Sequence, residues 1–422
     1  MTRATPIGVL VLAVSCLSWP AAAQTNERVY ENLDFRFLTP GARPAGMGLT
    51  FVGLADDATA AASNPAGLSN LLEPEFSLEF AGSRTHHQRL TSTTSLDYSS
   101  FGQPVWVLPS FVSLAVPRGS FTISGFANNE QDYKESFQFD GRCNSPTQCE
   151  DGAFGQIDAV IWNYGGSVAW LAASRLSVGG SIVATHLSLE AHGRSGSPTS
   201  VKNGTDTDDS GWAPSAFLGL LAKPWNRTTF GIAYYRGATF HLMTHVFGDF
   251  ERVGPKDEMR PIDYVLPSKI SLGGSFRFRD WLTGIGEVAR INYSERVTKN
   301  FLVVDFMFPS AALSAANYSY RDVNEYHGGV EARLVRSGTV IAIRGGVFSD
   351  PQHHLHFSPQ GGSLTADTVE AFRFNSSPDK THVGGTTGVG FTLNNQFQLD
   401  FAFTAVQDSK NLILSIVRRW PR

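Results

Sequence analysis

The sequence has little charge, few cysteines and, after its amino-terminal segment, no long apolar run. Only 17 % of the 422 residues are Asp, Glu, Lys or Arg, and the formal net charge is −4. This balance argues against a nucleic-acid partner, because nucleic-acid-binding domains usually concentrate a basic excess on one face. No later segment offers the roughly 18 consecutive apolar residues of a membrane-spanning helix. A membrane protein with this sequence must therefore span with strands.

The amino-terminal segment is typical of an export signal. Arg3 is its only charge, residues 7–17 form an apolar run, and the small residues Ala21 and Ala23 follow. Such a charged start, apolar middle and small-residue end indicate a cleaved signal peptide. We predict cleavage after Ala23, with a lipoprotein signal built on Cys16 as the alternative.

Two cysteines remain outside the signal. Cys143 and Cys149 lie close together in a polar segment. In the oxidising periplasm such a pair favours a disulfide that staples a loop. A metal site would need His or acidic partners that this segment supplies only weakly, so we predict a disulfide and no metal.

What the sequence does have is glycine, aromatic residues and period-two alternation. There are 41 glycines, and 12 % of the residues are aromatic, which suits short strands and tight turns. The pattern is clearest in two segments, residues 395–406 and 269–278, where one face is apolar and the other polar. The apolar faces carry Phe397, Leu399, Phe401, Phe403 and Ala405 in the first, and Ile270, Leu272, Gly274, Phe276 and Phe278 in the second.

About sixteen segments have this strand pattern, and we expect roughly fourteen of them in one wall. Short turns such as residues 117–119, 172–174, 224–226 and 336–338 alternate with long polar stretches at 140–154, 191–211, 237–264, 294–322 and 350–380. This alternation is typical of a transmembrane β-barrel. A barrel of about fourteen strands is too wide for side chains to fill, which favours apolar residues facing lipid and a polar, plugged lumen. Tryptophans near strand ends would then form interfacial girdles: Trp106, Trp162, Trp170, Trp212, Trp225, Trp281 and Trp420.

The segment ahead of the first strand, residues 41–80, alternates much less. It is a glycine-rich stretch followed by a short Ala-rich helical turn that Asp56 or Asp57 caps. Asn64 ends this turn, because a residue before proline avoids helical angles. Such a compact segment could fill a barrel.

These residues resemble the N-terminal hatch of the FadL/TodX family of outer-membrane hydrocarbon transporters, which carries an Asn-Pro-Ala motif shortly before the first strand. Here the motif is Asn64, Pro65 and Ala66. Upstream residues that match the surrounding pattern are Gly46, Met47, Gly48, Ala55, Asp56, Asp57 and Ala58. Two later segments, VLPSKISLGGSFRF from Val265 and TVIAIRGGVFSDP from Thr339, also resemble the family.

The resemblance implies an apolar ligand that outer loops capture, that binds inside, and that leaves sideways through the wall as the hatch rearranges. A long-chain fatty acid or aromatic hydrocarbon crosses the polar lipopolysaccharide layer poorly. A lateral exit also avoids water, in which each exposed CH₂ costs about 0.8 kcal/mol. The resemblance itself assigns no ligand-binding side chains.

Other groups of polar residues have simpler interpretations. His353, His354 and His356, like His86 and His87, are solvated loop histidines, since neither group has acid or thiolate ligands at metal spacing. Residues 206–211 begin like a calcium loop, but Phe217 stands where a bidentate Glu is needed. His186 and Ser188 share a strand face, as chance alone would allow, so we predict no enzyme and no cofactor.

The sequence therefore predicts an all-β, transmembrane antiparallel β-barrel of about 14 strands with an N-terminal hatch, or plug, inside the lumen. We expect a signal peptide at residues 1–23, the hatch at 24–72 and the barrel at 73–422, in the bacterial outer membrane among its lipid and lipopolysaccharide. The expected function is passive uptake of hydrophobic small molecules. The alternative is a barrel of the same kind that anchors or shuttles a secreted protein partner.

Overall fold

The computed structural model describes residues 37, 39–85, 88–90, 98–102, 105–139, 142–145, 148–150, 153–197, 200–250, 254–300, 318–353, 356–357, 380–407 and 409–420. The predicted signal peptide and the first residues of the predicted hatch lie outside these ranges. Among the described residues, no helix is long and apolar enough to cross a membrane.

Strands dominate the described chain. A four-residue helix α1 (Ala42–Ala45) and two 3₁₀ helices, η1 (Ala58–Ala62) and η2 (Pro65–Asn70), precede them, and η3 (Tyr293–Arg296) follows later. The strands are β1 (Glu75–Thr85), β2 (Gln88–Leu90), β3 (Tyr98–Gly102), β4 (Val105–Arg118), β5 (Phe121–Phe139), β6 (Arg142–Ser145), β7 (Gln148–Glu150), β8 (Ala153–Ala173), β9 (Leu176–Ser197), β10 (Ser200–Trp225), β11 (Thr228–Arg236), β12 (Thr239–Phe250), β13 (Gly254–Val265), β14 (Lys269–Arg279), β15 (Leu282–Ile291), β16 (Tyr318–Ser319), β17 (Val323–Arg336), β18 (Thr339–Pro351), β19 (His356–Phe357), β20 (Thr381–Leu393), β21 (Phe397–Val406) and β22 (Ser409–Arg419).

Fourteen of the described strands close into one antiparallel barrel. The wall follows the chain through β1, β4, β5, β8, β9, β10, β11, β14, β15, β17, β18, β20, β21 and β22. The sheet closes on itself, because Glu75 of β1 lies opposite both Ala115 of β4 and Arg419 of β22. The last strand thus pairs with the first, and the predicted barrel of about fourteen strands is confirmed.

The two rims of the barrel differ. One rim, the turn end, holds the short connections near Gly119, Asp280 and Gly338, together with the start of β1 and the end of β22. The other rim, the loop end, holds the long connections. This is the asymmetry that the sequence predicts for a membrane-spanning barrel.

The alternating faces also behave as predicted. On β21, Phe397, Phe401 and Phe403 face outwards and are exposed, whereas Asp400 and Thr404 are buried on the lumen side. On β9, Ile182 is 81 % exposed beside the buried Ser181. A soluble protein would bury such side chains in a core. The outer surface is therefore the lipid-facing one, and the lumen is polar.

Tryptophans form a band at each margin of this apolar surface. Trp170 stacks on Phe121 near the turn end, with ring centroids 6.1 Å apart. Trp162 lies on the same strand and stacks on Tyr164. At ~3.3 Å per residue and the usual strand tilt, it lies about 20 Å from Trp170 towards the loop end. This separation approaches the height of the apolar band of membrane barrels, as the predicted girdles require.

Several predicted loops are strands in the structure. β9 and β10 form one long hairpin that includes most of residues 191–211, and β12 with β13 forms a hairpin within residues 237–264. These polar segments alternate weakly because they extend beyond the lipid. They were therefore wrongly predicted as loops. The longest strands extend past the lipid in the same way, and β5 continues to Phe139 through a shift in register between Asn129 and Gln131.

The described part of the predicted hatch, residues 37 and 39–72, lies inside the barrel. The helix α1 contacts β20, β21 and β22, while η2 contacts β8, β9 and β10 on the other side. Ala45, Phe51, Ala60 and Leu68 are buried. A segment that reaches inner faces all around the wall must fill the lumen, so we call residues 39–72 the hatch segment.

Candidate functional site

Wall carboxylates bind the backbone of the hatch segment. Glu287 of β15 accepts hydrogen bonds from the N–H groups of Phe51 (3.1 Å) and Val52 (3.2 Å) and from the hydroxyl of Thr50 (3.1 Å). Glu75 of β1 accepts one from the N–H of Ala58 at 2.6 Å. These charge-assisted bonds satisfy buried donors in a segment with little regular structure.

A third wall carboxylate, Glu79 of β1, holds the start of α1. It accepts from the N–H of Gly41, and from the hydroxyls of Ser110 at 3.0 Å and Ser415 at 3.4 Å. Ser415 in turn accepts from the N–H of Ala42 at 2.6 Å. Nothing in the local sequence around these acids signals this role, because their partners lie far away along the chain.

The Asn-Pro-Ala motif packs against wall glycines. The side-chain amide of Asn64 donates to the carbonyl oxygens of Val52 (2.9 Å) and of Leu220 in β10 (3.2 Å). A Cβ atom at Gly219 would collide with the Asn64 amide, and one at Gly179 would collide with the backbone of Ala66. The motif therefore fixes the fold of the hatch segment and its contact with the wall at one point.

Glycines also let backbone meet backbone on the opposite side. Gly48 has a φ of +75°, which strains residues other than glycine. A Cβ on Gly48 would lie 2.9 Å from the carbonyl oxygen of Val347. A Cβ at Gly329 or Gly346 of the wall would collide with Met47 or Gly48. These contacts give a structural reason for the Gly-Met-Gly part of the predicted hatch motif.

An ion-pair network joins the hatch segment to the wall near the turn end. Arg43 bonds to Asp56 (2.6 Å) and to Glu331 of β17 (3.0 Å). Arg344 of β18 bonds to the same Glu331 and to Asp400 of β21, each at 2.7 Å. A cavity of about 250 Å³ lies beside this network.

The two acids of the hatch motif have separate roles. Asp56 pairs with Arg43, as described above, whereas Asp57 caps η1 by accepting the N–H of Thr59 at 2.9 Å. The predicted cap is therefore Asp57. The turn η1 ends at Ala62, with Ser63 after it, so the predicted end at Asn64 is wrong by two residues. Asn64 instead directly precedes η2.

The wall opens between β4 and β5. Their ladder runs from Arg118 and Phe121 at the turn end up to Phe111 and Asn128. Above that pair, no ladder among the described residues joins β4 to β5, and β5 is paired on this side again only from Glu135, which lies opposite Gly102 of β3. At ~3.3 Å per residue and the usual strand tilt, Phe111 lies roughly 18 Å from the turn that joins β4 to β5. This unpaired region, which we call the wall gap, therefore lies in the half of the apolar band nearer the loop end.

Two irregularities produce the wall gap. Opposite β1, the register of β4 shifts so that Glu79 pairs with Phe111 but Ala81 pairs with Val107. The extra β4 residues include Pro109, which has no N–H to donate to a ladder. Opposite β8, β5 shifts at Glu130, between Asn129 and Gln131. Bulges at both strands turn them apart.

Cavities lead from the lumen to the wall gap. The gap cavity, of about 60 Å³, is lined by Leu49, Val105, Val107 and Ile413 together with polar side chains described below. An inner cavity of about 40 Å³ is lined by aromatic residues: Phe37, Phe51, Phe217 and Tyr235. Tyr235 lies 4.8 Å from Phe217 and 5.5 Å from Phe37 between ring centroids. Thr39 and Pro40 line both cavities and so separate them.

An apolar cluster lies above the inner cavity, towards the loop end. The hairpin of β12 and β13 contributes buried residues that pack against the lumen faces of β8 and β9. Its members include Ile161, Leu187, Leu189, Phe240, Leu242, Ile262 and Leu266, with Phe37 packed against it. Apolar side chains thus extend from the loop end to the aromatic cavity, which Thr39 and Pro40 separate from the gap cavity.

The remaining residues singled out in the sequence do not join this site. The prediction of a solvated histidine is wrong for His353, which is buried and stacks on Tyr293 with ring centroids 3.8 Å apart. His186 packs at a tilt against Trp212 on the outer surface, with ring centroids 4.6 Å apart. Asp206 bonds to Arg194 and His192 within the β9–β10 hairpin. His86, His87 and His354 lie outside the described residues. Where the chain is described, no three His, Cys, Asp or Glu side chains form a group that could hold a metal.

The cysteine pair lies in the short hairpin of β6 and β7. Cys143 and Cys149 are directly opposite one another in its register. Their side chains are not among the described parts of the structure, so the disulfide stays a prediction.

Comparison with solved structures finds this architecture elsewhere. A toluene transporter of Ralstonia pickettii, TbuX, superposes with a TM-score of 0.63 at 17 % identity, over 92 % of this chain and 100 % of its own. The toluene transporter TodX of P. putida gives 0.62 at 12 % identity, over 92 % and 100 %. A FadL homologue of Pseudomonas aeruginosa gives 0.61 at 13 % identity, over 90 % and 98 %.

The chain has the FadL-type barrel fold. The fold that the Asn-Pro-Ala motif predicted is therefore confirmed, although identities this low carry the architecture and nothing finer. No family model matches the sequence. No curated protein matches it either. In this FadL-type barrel, the contacts of the hatch segment and the wall gap must therefore be interpreted from the chain's own residues.

Proposed function

We propose that this protein is an outer-membrane channel for the passive uptake of hydrophobic small molecules, such as long-chain fatty acids or aromatic hydrocarbons. The observation that carries the proposal is the wall gap. It lies beside the gap cavity, at the height of the apolar band, where it would connect the aromatic cavity of the lumen to the lipid-facing surface. The similar structures include two toluene transporters and a FadL homologue, which agrees with such a ligand.

The physical route has three steps. The ligand enters at the loop end, where the side chains of the buried cluster around Phe240 and Leu242 would have to separate to admit it. It then passes the aromatic cavity around Phe217 and Tyr235. It leaves through the wall gap into lipid, so its apolar surface avoids water throughout. The hatch segment blocks a straight path to the periplasm, and a rearrangement of this segment would widen the route.

We also propose the division of the chain that the sequence predicts, with a signal peptide at residues 1–23, the hatch at 24–72 and the barrel at 73–422. The proposal includes no catalytic role. Its partners are the apolar ligand and the surrounding outer-membrane lipid and lipopolysaccharide. The alternative, an anchor for a secreted protein, requires stoichiometric capture of a protein from detergent-solubilised membranes.

The test is uptake of radiolabelled toluene and dodecane by cells whose own hydrophobic-uptake barrels are deleted. Cells that carry the protein should take up at least one probe faster than cells with an empty vector. Val107→Trp, which fills the gap cavity, should reduce this uptake strongly. Val168→Trp, on the lipid-facing surface of β8, is the matched control. Equal uptake with and without the protein for both probes would disprove the proposal.

A further inference from the structure

The wall gap carries negative charge without positive charge. Its cavity is lined by Glu79 from β1 and Asp132 from β5, on the two sides of the opening, and by the neutral polar side chains of Ser110, Asn128 and Asn129. The described lining includes no lysine or arginine. On β5, Lys134 is nearby in sequence, but it forms an ion pair with Asp158.

The surroundings of Glu79 suit an ionised carboxylate. The N–H of Gly41 can only donate, and the hydroxyls of Ser110 and Ser415 also donate to this carboxylate. Donors that point at a carboxylate favour its charged form and oppose the cost of burying it. Glu79 therefore adds to the negative potential at the inner edge of the opening.

The inner cavity extends the same pattern. Glu130, buried at the shift in β5, accepts from the amides of Asn128 and Asn163, each at 2.9 Å. Glu287 lines the same cavity, as does one cation, Lys269, whose ammonium lies 4.3 Å above the ring of Phe37. The inner cavity therefore has two carboxylates and one ammonium group. The two carboxylates offset the attraction that Lys269 would have for a ligand carboxylate.

We propose that the wall gap selects uncharged hydrophobic molecules and excludes long-chain carboxylates, with Glu79 and Asp132 as the residues that determine this specificity. The inference rests on the proposed uptake function and narrows its substrate class. A carboxylate that leaves through the opening must pass two like charges in a poorly solvated space, where repulsion is strong and little screened. A neutral chain or ring of the same size meets no such barrier.

The test compares two probes of equal chain length, 1-dodecanol and dodecanoate, at pH 8, where the second is ionised. In the cells described above, the wild-type protein should admit the alcohol about tenfold faster than the carboxylate, as expected for repulsion by partly solvated charges. Asp132→Asn should lower the ratio of alcohol uptake to carboxylate uptake several-fold, and Asp132→Lys should lower this ratio further. Neither change should alter entry of the alcohol by more than about twofold.

Asp280→Asn is the matched control, because it removes an exposed carboxylate at the turn end and should leave the ratio unchanged. Glu79→Gln would also narrow the ratio, but it disturbs the bond to Gly41, so Asp132 is the sharper position. If the wild type admits both probes equally, or if the ratio is the same in both Asp132 variants, the inference is wrong while the uptake function stands. If the protein admits neither probe, the inference is also wrong, and the uptake of toluene and dodecane alone decides the proposed function.

Discussion

The side-chain amide of Asn64 in the hatch segment donates a hydrogen bond to the carbonyl oxygen of Leu220 in the wall, at 3.2 Å. The same amide donates to Val52 at 2.9 Å. One side chain therefore ties the hatch segment to itself and to the barrel, in a buried position where water cannot replace it.

Replacing Asn64 with Ala should loosen the hatch segment. Two buried carbonyl oxygens would lose a donor, at a cost of about 1–3 kcal/mol each if they stay unsatisfied. Hydrogen exchange in peptides from residues 50–70 should become faster, whereas peptides from the wall strands should not change. Asn226→Ala, in an exposed turn, is the control, and unchanged exchange in the Asn64 variant would contradict the assignment.

Gly219→Ala should displace the same contact from the wall side. The added methyl group would overlap the Asn64 amide, and overpacking of this kind costs about 1–3 kcal/mol. We expect greater ion conductance in planar bilayers, because a displaced hatch segment leaves the lumen less well blocked. Gly166→Ala adds the same methyl group where nothing lies within 4 Å, and should conduct as the wild type does. Similar conductance in both variants would mean that this close contact does not hold the hatch.

Arg43→Met should weaken the ion-pair network near the turn end. Removing one partner of a buried pair typically costs about 3–5 kcal/mol, since Glu331 would keep only Arg344. The expected result is a lower thermal midpoint for the loss of hatch contacts, together with more frequent channel openings. Arg333→Met is the control, because Arg333 lines the same cavity but is exposed. An unaltered opening frequency in the Arg43 variant would show that the network does not restrain the hatch segment.

Phe217→Ala should weaken binding of an aromatic ligand in the inner cavity. Contacts between aromatic rings contribute about 0.5–1.5 kcal/mol beyond area burial, which corresponds to a loss of affinity of about two- to tenfold. Fluorescence titration of detergent-solubilised protein with naphthalene would measure it. Phe403→Ala removes an equal ring from the lipid-facing surface, and its affinity should stay at the wild-type value. Equal losses in both variants would place the ligand elsewhere.

The cysteine pair can be tested directly. Because Cys143 and Cys149 lie opposite each other in the hairpin of β6 and β7, we expect one linked peptide in a non-reduced digest that separates on reduction. Two free, alkylatable thiols in protein purified from oxidising conditions would refute the disulfide.

Much of the fold follows from the sequence, because period-two alternation depends only on which face of a strand meets lipid. The outward position of Phe397, Phe401 and Phe403 could therefore be predicted. The hatch motif could also be located, since Asn64 precedes a proline within an unpatterned segment. The extent of β9 and β10 could not, because strands that leave the membrane lose the contrast between their faces.

The site itself was mostly out of reach from the sequence. Glu79 and Glu287 bond to backbone N–H groups, which are present at nearly every residue and leave no sequence signal. The wall gap arises from two register shifts, and register depends on pairing between strands that are distant in the chain. Pro109 is the one local clue, because a proline inside a strand marks a bulge or an edge.

The glycines that face the hatch segment have a consequence for how this protein can evolve. Gly179, Gly329 and Gly346 accommodate backbone atoms of Ala66, Met47 and Gly48, and Gly219 accommodates the side-chain amide of Asn64. A hatch taken from another barrel with the same architecture would clash with side chains of the inner wall and would not pack against it. A substitution in the hatch segment should therefore be accompanied in evolution by one on the inner wall. A chimera that exchanges the hatch segment without the wall should leak ions.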